Sequence, residues 1–215
     1  MSSSNVSKTT NNLRTVGRAA IRANIADTAM TLFIEQGFEQ TTVEQIANRA
    51  GVSARSVFRY FESKEDMVVG NMYEIGETLR EALEARPEDQ EPWEALRQSF
   101  HTLLATYADN QPEALSRAHL LDSTPSLQSA RRQKQAQWLE LLIPGVQARL
   151  PGPINTRQLR AAAITASALA CLDIAIRTWA ESGGTTDIVA LLDTALAAVR
   201  TPVARPRARM ANRPS

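Results

Sequence analysis

Three residues, Ala47, Gly51 and Val57, stand four and six positions apart. A helix-turn-helix needs a small residue where its two helices cross. It also needs a glycine free to take positive φ in the turn, and an apolar residue that fills the crossing from the second helix. This spacing meets all three needs. Around it Ile46, Ala50, Val52 and Phe61 are apolar or small, whereas Ala54, Arg55, Ser56, Arg59 and Tyr60 are short or carry donors. Short side chains let a helix enter a major groove, and arginine bonds guanine bidentately, so the implied chemistry is the reading of double-stranded DNA. A plain helical hairpin with glycine in its turn would satisfy the same spacing. Capping, turn and face chemistry together favour the DNA reading.

Catalytic chemistry has little support. The sequence holds no His-Glu-x-x-His, no Gly-x-Ser-x-Gly and no phosphate-cradling glycine loop, and His101 and His119 have no evident metal-ligand companions. The expectation is a protein that is not an enzyme and that carries no cofactor and no metal. One cysteine, Cys171, excludes an internal disulfide and suits a reducing cytoplasm. The N-terminus is polar and without an apolar core region, which argues against a secretion signal. The longest apolar stretch, 161–176, is interrupted by Asp173 and bounded by arginines, so it reads as a buried helix rather than a membrane span. A cytoplasmic location away from any membrane is expected.

These residues must be held by helices. Apolar residues recur at three and four, and no convincing strand alternation occurs, so the fold class is all-α. A first helix is expected over 18–36, with Ile21, Ile25, Ala29, Leu32 and Phe33 on one face and Gly37 closing it. Thr41 and Glu44 spell a Thr-x-x-Glu capping box opening a two-turn helix through Ala50. Ser53 caps the next helix, and Ser63 with Asp66 caps a fourth that runs to about Ala85. After the charged loop 87–92, helices are expected near 93–109, 112–121, 126–143, 156–181 and 186–199, with Pro144 and Gly145 ending or kinking the third of these. The last two, joined by the short loop 182–185, must pair antiparallel.

From Gly37-Phe38-Glu39-Gln40-Thr41-Thr42-Val43-Glu44-Gln45-Ile46-Ala47, through Gly51-Val52-Ser53, to Val57-Phe58-Arg59-Tyr60-Phe61-Glu62-Ser63-Lys64-Glu65-Asp66-Met67, the chain closely resembles the TetR family of one-component transcriptional regulators. The resemblance implies a three-helix N-terminal DNA-binding domain with its helix-turn-helix. A fourth helix would connect it to a helical ligand-binding and dimerisation domain, whose last two long helices build a homodimeric four-helix bundle. Carried over by position, Thr42 and Lys64 resemble the family's phosphate contacts. Arg55 and Ser56 are assigned to base reading, with Ser53 and Tyr60 beside them. Phe58 departs from the usual tyrosine, so a phenolic phosphate bond is lost there and Tyr60 or Arg59 takes its place. Glu44 stands where some members place a base-reading side chain, but capping is its simpler role. Arg14, Arg18 and Arg22 follow the backbone, enter the minor groove, or remain solvated.

Net charge is +1 overall, but it runs +1 over 1–70, −7 over 71–125 and +7 over 126–215. The expected division is an arm over 1–17, a DNA-binding domain over 18–63, an effector and dimerisation domain over 64–200, and a flexible basic tail over 201–215. A helical pocket would be apolar with a few polar groups. Candidates are Phe100, His101, Leu104, Tyr107, His119, Trp138, Cys171 and Trp179, with Trp93 and Asp122 beside them, although each has an ordinary core or surface role as its alternative. Arg131, Arg132 and Lys134 form a solvated face or meet an anionic ligand, and Asp173 with Arg177 is an intrahelical pair. Dimer contacts are expected from Ile164, Leu169, Leu172, Ile176, Val189, Leu192 and Leu196. The functional expectation is a repressor released from a palindromic operator by a small, mainly apolar effector. An effector-independent architectural protein and an activator are the alternatives.

Overall fold

The computed structural model describes residues 3–200, with side chains from residue 17 onward. Among these residues the chain is helical and contains no strand. Ten helices follow in order: α1 (Ser3–Gln36), α2 (Val43–Ala50), α3 (Ala54–Tyr60), α4 (Lys64–Val69), α5 (Met72–Glu84), α6 (Pro92–Asp109), α7 (Gln111–Ser123), α8 (Pro125–Ala148), α9 (Ile154–Glu181) and α10 (Ile188–Arg200). The expected arm is therefore helical from Ser3, because α1 begins well before residue 18. The side chain of Arg14 and the basic tail over 201–215 lie outside the described residues.

Helices α1 to α4 close around Ile25, Ala29, Phe33, Phe38, Ile46, Ala47, Val57 and Phe61, all buried. Gly51 takes φ +70 between α2 and α3, a conformation that a side chain with Cβ adopts only at a cost. Caps set the helix starts, and one of them is displaced from the expected box. Thr42, not Thr41, caps α2: its hydroxyl accepts from Gln45 N at 3.2 Å while Gln45 Oε1 accepts from Thr42 N at 2.8 Å. Thr41 is buried instead, donating its hydroxyl to the Gly37 carbonyl at 2.7 Å, which leaves Glu44 exposed and free of the box. Ser53 and Ser63 cap as expected, each accepting from the backbone N–H three residues on at 3.1 Å.

Two helix boundaries differ from expectation. The single helix from Ser63 to Ala85 is broken at Gly70 and Asn71 into α4 and α5. A Cβ on Gly70 would lie 2.3 Å from the Asp66 carbonyl oxygen, so glycine suits the close turn that ends α4, while the Arg22 guanidinium, 2.8 Å away, is a flexible tip that can shift. Conversely, α8 runs through Pro144 to Ala148, because one missing N–H is outweighed by burial of Leu142 and Val146 on either side.

The second helical block packs α5, α6, α8, α9 and α10 around Leu83, Leu96, Phe100, Leu104, Leu127, Leu142, Val146, Leu172 and Leu192. Leu192 and Leu196 thus belong to the protomer's own core rather than to an outer contact. What α9 and α10 leave outside is Ile154, Leu159, 72% exposed, Ile174 and Val199. Among the described residues α9 is the one helix long and apolar enough to cross a membrane, yet Ala161, Ala168, Cys171, Leu172, Ala175 and Trp179 face the interior of the helical block.

Candidate nucleic-acid interface and internal cavity

On α3, Arg55, Phe58 and Arg59 lie three and four residues apart and are all exposed, forming one outward ridge, with Ser53 and Ser56 beside it. Val57 is buried and turns the other way. Tyr60 is half-buried, and the guanidiniums of Arg59 and Arg18 lie 5.2 and 5.8 Å from its ring centre. Arg22 sits 5.0 Å from the Phe61 ring and pairs with Glu74 at 3.5 Å. Thr42 is exposed at the start of α2, where its cap leaves further backbone N–H groups for an anion. The ammonium of Lys64 has structural work in addition. It donates to the carbonyls of Phe38 and Thr41 at 2.9 and 3.0 Å and lies 4.6 Å from the Phe38 ring centre, tying α4 to the turn before α2.

Six helices, α4 to α9, line a cavity of about 220 Å³. Its apolar wall includes Met72, Ile75, Leu103, Trp138, Leu169, Leu172 and Ile176. Its polar side carries Tyr107, Arg117, Arg131, Gln135 and Asp173. Asp173 accepts from Gln135 Nε2 at 3.0 Å, from Arg177 at 2.6 Å and from Arg131, so the expected intrahelical pair is one part of a three-donor cluster. Arg117 donates to the Val68 carbonyl at 2.9 Å and pairs with Glu113 at 3.2 Å, joining α7 to the last turn of α4. Trp138 Nε1 donates to the Met72 carbonyl at 2.5 Å. Burial pushes the Tyr107 hydroxyl above its ordinary pKa, which keeps it a proton donor.

Of the eight ligand candidates, Tyr107 and Trp138 line this cavity. Trp179 stands edge-on to Tyr107 with ring centres 5.7 Å apart, one layer behind the wall. Phe100, Leu104 and Cys171 are buried in the core, and burial raises the Cys171 thiol pKa. His101 donates to Asp193 at 2.9 Å between α6 and α10, and His119 donates to the Ala180 carbonyl at 3.0 Å. Trp93 packs against the core away from the lining, and Asp122 lies 4.0 Å from Arg177. Sequence reading missed Asn71, Met72, Ile75, Arg117 and Gln135, and it gave Leu169, Leu172 and Ile176 to the dimer contact when they face the cavity. Of Arg131, Arg132 and Lys134, read as a solvated face or an anion contact, Arg131 lies in the lining.

Comparison with known proteins agrees with this architecture. The family model for bacterial regulatory proteins of the tetR family matches residues 25–69, and the MftR C-terminal domain model matches residues 90–204, more than half of the chain. The chain belongs to the TetR family. Among curated relatives of this TetR-family protein, the HTH-type transcriptional regulator TcmR of Streptomyces glaucescens is 37% identical over 105 residues, 46% of each chain. The chain thus spans about half the length of that relative. The putative mycofactocin biosynthesis regulator MftR of Mycobacterium tuberculosis is 29% identical over 63% of this chain and 68% of its own. FadR of Bacillus subtilis, solved in complex with stearoyl-CoA, shares the fold with TM-score 0.56 and 22% identity over 81% of this chain and 95% of its own.

Proposed function

We propose that this TetR-family chain is a transcriptional repressor that holds a palindromic operator as a homodimer and releases it when a small, mainly apolar effector fills the cavity. The observation that carries this reading is the cavity's contact with α4, which packs against α1 of the DNA-binding unit. Val68, Asn71, Met72 and Ile75 line it from α4, the break and α5, and α4 also carries Lys64, which grips the turn before α2. A ligand that repacks this wall acts directly on the helix tied to α1 and to that turn.

The ridge of Arg55, Phe58 and Arg59 reads the major groove. Arginine supplies bidentate donors, and Phe58 supplies an apolar contact of the kind a thymine methyl makes. Thr42 and Lys64 hold phosphates on either side, while Ser53, Ser56 and Tyr60 complete the surface. The division into a DNA-binding unit over 18–63 and an effector and dimerisation unit over 64–200 is part of the same proposal. Dimer contact falls to the outward face of α9 and α10, with Leu159, Ile174 and Val199, which leaves an apolar patch exposed in one protomer. A volume of about 220 Å³ lies below the roughly 300–1,000 Å³ of pockets for drug-sized ligands, which favours a compact effector.

Footprinting on DNA selected from a random library tests the first half: an inverted repeat with half-sites about 34–36 Å apart or more is expected. Titrating thermal-shift hits against the bound operator tests the second. A hundredfold release requires about 2.7 kcal/mol of coupling, and a saturating hit that leaves operator affinity and dimer spacing unchanged points to an architectural role instead.

A further inference from the structure

Two donors on the cavity wall have capacity to spare. Both carboxylates on the wall already accept hydrogen bonds, Asp173 from Arg131, Arg177 and Gln135, and Glu113 from Arg117 and Asn110. Donors are left over. A guanidinium carries five N–H groups, and among the described residues Arg131 spends its hydrogen bonding on Asp173 alone, although its side chain is only 14% exposed. The Tyr107 hydroxyl, protonated and on the same side of the cavity, has no hydrogen-bond partner among the described residues. Charge is balanced along the wall: Arg131 pairs with Asp173 and Arg117 with Glu113, while Arg177 stands outside the lining between Asp173 and Asp122. Opposite these donors the wall is apolar, formed by Met72, Ile75, Trp138, Leu169, Leu172 and Ile176.

We infer that the cavity takes a compact apolar molecule bearing a free carboxylate, held by Arg131 and the Tyr107 hydroxyl. A carboxylate matches these donors: it brings two acceptor oxygens to a planar donor fork and makes charge-assisted hydrogen bonds there. A neutral amide or ester of the same body offers one acceptor oxygen and no such charge assistance. This inference rests on the cavity being the effector site.

The test uses the full-length protein and matched probes: 2-naphthoate against 2-naphthamide, and octanoate against octanamide. Binding is followed by calorimetry and tryptophan fluorescence at neutral pH, and operator release is measured in parallel. Each acid is expected to bind at least about tenfold more tightly than its amide, in line with the greater strength of charge-assisted hydrogen bonds. Arg131→Gln should remove that preference, Arg131→Lys should keep part of it, and Tyr107→Phe, which preserves the ring, should weaken acid binding about fivefold. Equal binding of acid and amide overturns the inference. So does an unchanged acid affinity in Arg131→Gln and Tyr107→Phe, or the failure of either acid to bind at millimolar concentration. Acid binding without operator release overturns the regulatory reading and leaves this one standing. Release by the amides as effectively as by the acids does the reverse.

Discussion

The ridge on α3 and the cavity among α4 to α9 are built by opposite means. The ridge comes from one short, contiguous stretch whose polar groups face outward, held from beneath by Val57 and Phe61. The cavity draws on residues from Val68 to Ile176, more than a hundred positions apart, and turns its polar groups inward against one another. In the first, a side chain's role follows from its place in a turn or on a helix face. In the second it follows from which helices happen to meet. Substitutions in the two regions should therefore fail differently: the ridge loses recognition while the fold survives, and the cavity loses packing or response while base preference survives.

The largest expected effect tests which apolar face is internal. Leu192→Glu places a charge among core side chains at a cost of several kcal/mol, so circular dichroism should show a protein largely unfolded or aggregated. Ile174→Glu, on the outer face of α9, should keep the helical signal and melting temperature but sediment as a monomer with weak operator affinity. A folded Leu192→Glu monomer would move the dimer contact back to α10's inner side.

Next come the two cations proposed to contact DNA. Arg55→Ala should cost about 1–3 kcal/mol of operator affinity and relax preference at one base, with the melting temperature unmoved. Lys64→Ala should weaken all sequences alike and lower the salt slope by about one, and it should also destabilise the protein because the Phe38 and Thr41 carbonyls lose their donor. Equal loss on specific and random DNA for Arg55→Ala would remove it from base reading. Across the divide, Arg117→Ala frees the Val68 carbonyl. It should reduce the operator's response to effector by about 0.5–2 kcal/mol while operator affinity in the free state changes little.

How much was legible beforehand follows the same division. Ala47, Gly51 and Val57 could be read because a crossing, a turn and a buried neighbour are separated by fixed numbers of residues. The capping box was read one residue early because Thr41 and Thr42 are chemically alike, and only the burial of Thr41 decides between them. Leu172 and Ile176 have the periodicity of a helix face, but periodicity does not say whether that face meets a cavity, a core or a second protomer. Gln135 carried no local signal, since its partner Asp173 lies 38 residues away, and Arg117 showed only an ordinary i, i+4 pairing with Glu113, whereas its bond to the Val68 carbonyl spans 49 residues.

Smaller effects refine the local half of the comparison. Thr42→Ala should cost about 0.5–2 kcal/mol of stability, whereas Glu44→Ala should stay within about 0.5 kcal/mol, as read by chemical denaturation. Smallest is a pH effect at the surface of α6. Hydrogen bonding from Arg97 holds the Glu94 carboxyl at about 2, below its ordinary 4.5. The ionised form is favoured by folding, so its contribution is complete above about pH 4.5 and is lost as pH falls towards 2. Glu94→Gln should flatten that part of the acid limb in a melting series from pH 5 to 2, and an unchanged limb would assign acid sensitivity to other carboxylates.

The break at Gly70 and Asn71 also sets a mechanical gain. Under the proposed regulation the break is the pivot, with α4 packed against α1 before it and α5 packed against α6 and α8 after it. The six residues of α4 span about 9 Å, so a rotation of roughly 10° displaces the far end by about 1.5 Å, and α3, carried beyond it, by more. In the proposed homodimer, two protomers swinging in opposite senses would double that displacement at the DNA. A rearrangement no larger than a side-chain rotation in the cavity would thus become a mismatch of several ångströms against the fixed pitch of the double helix.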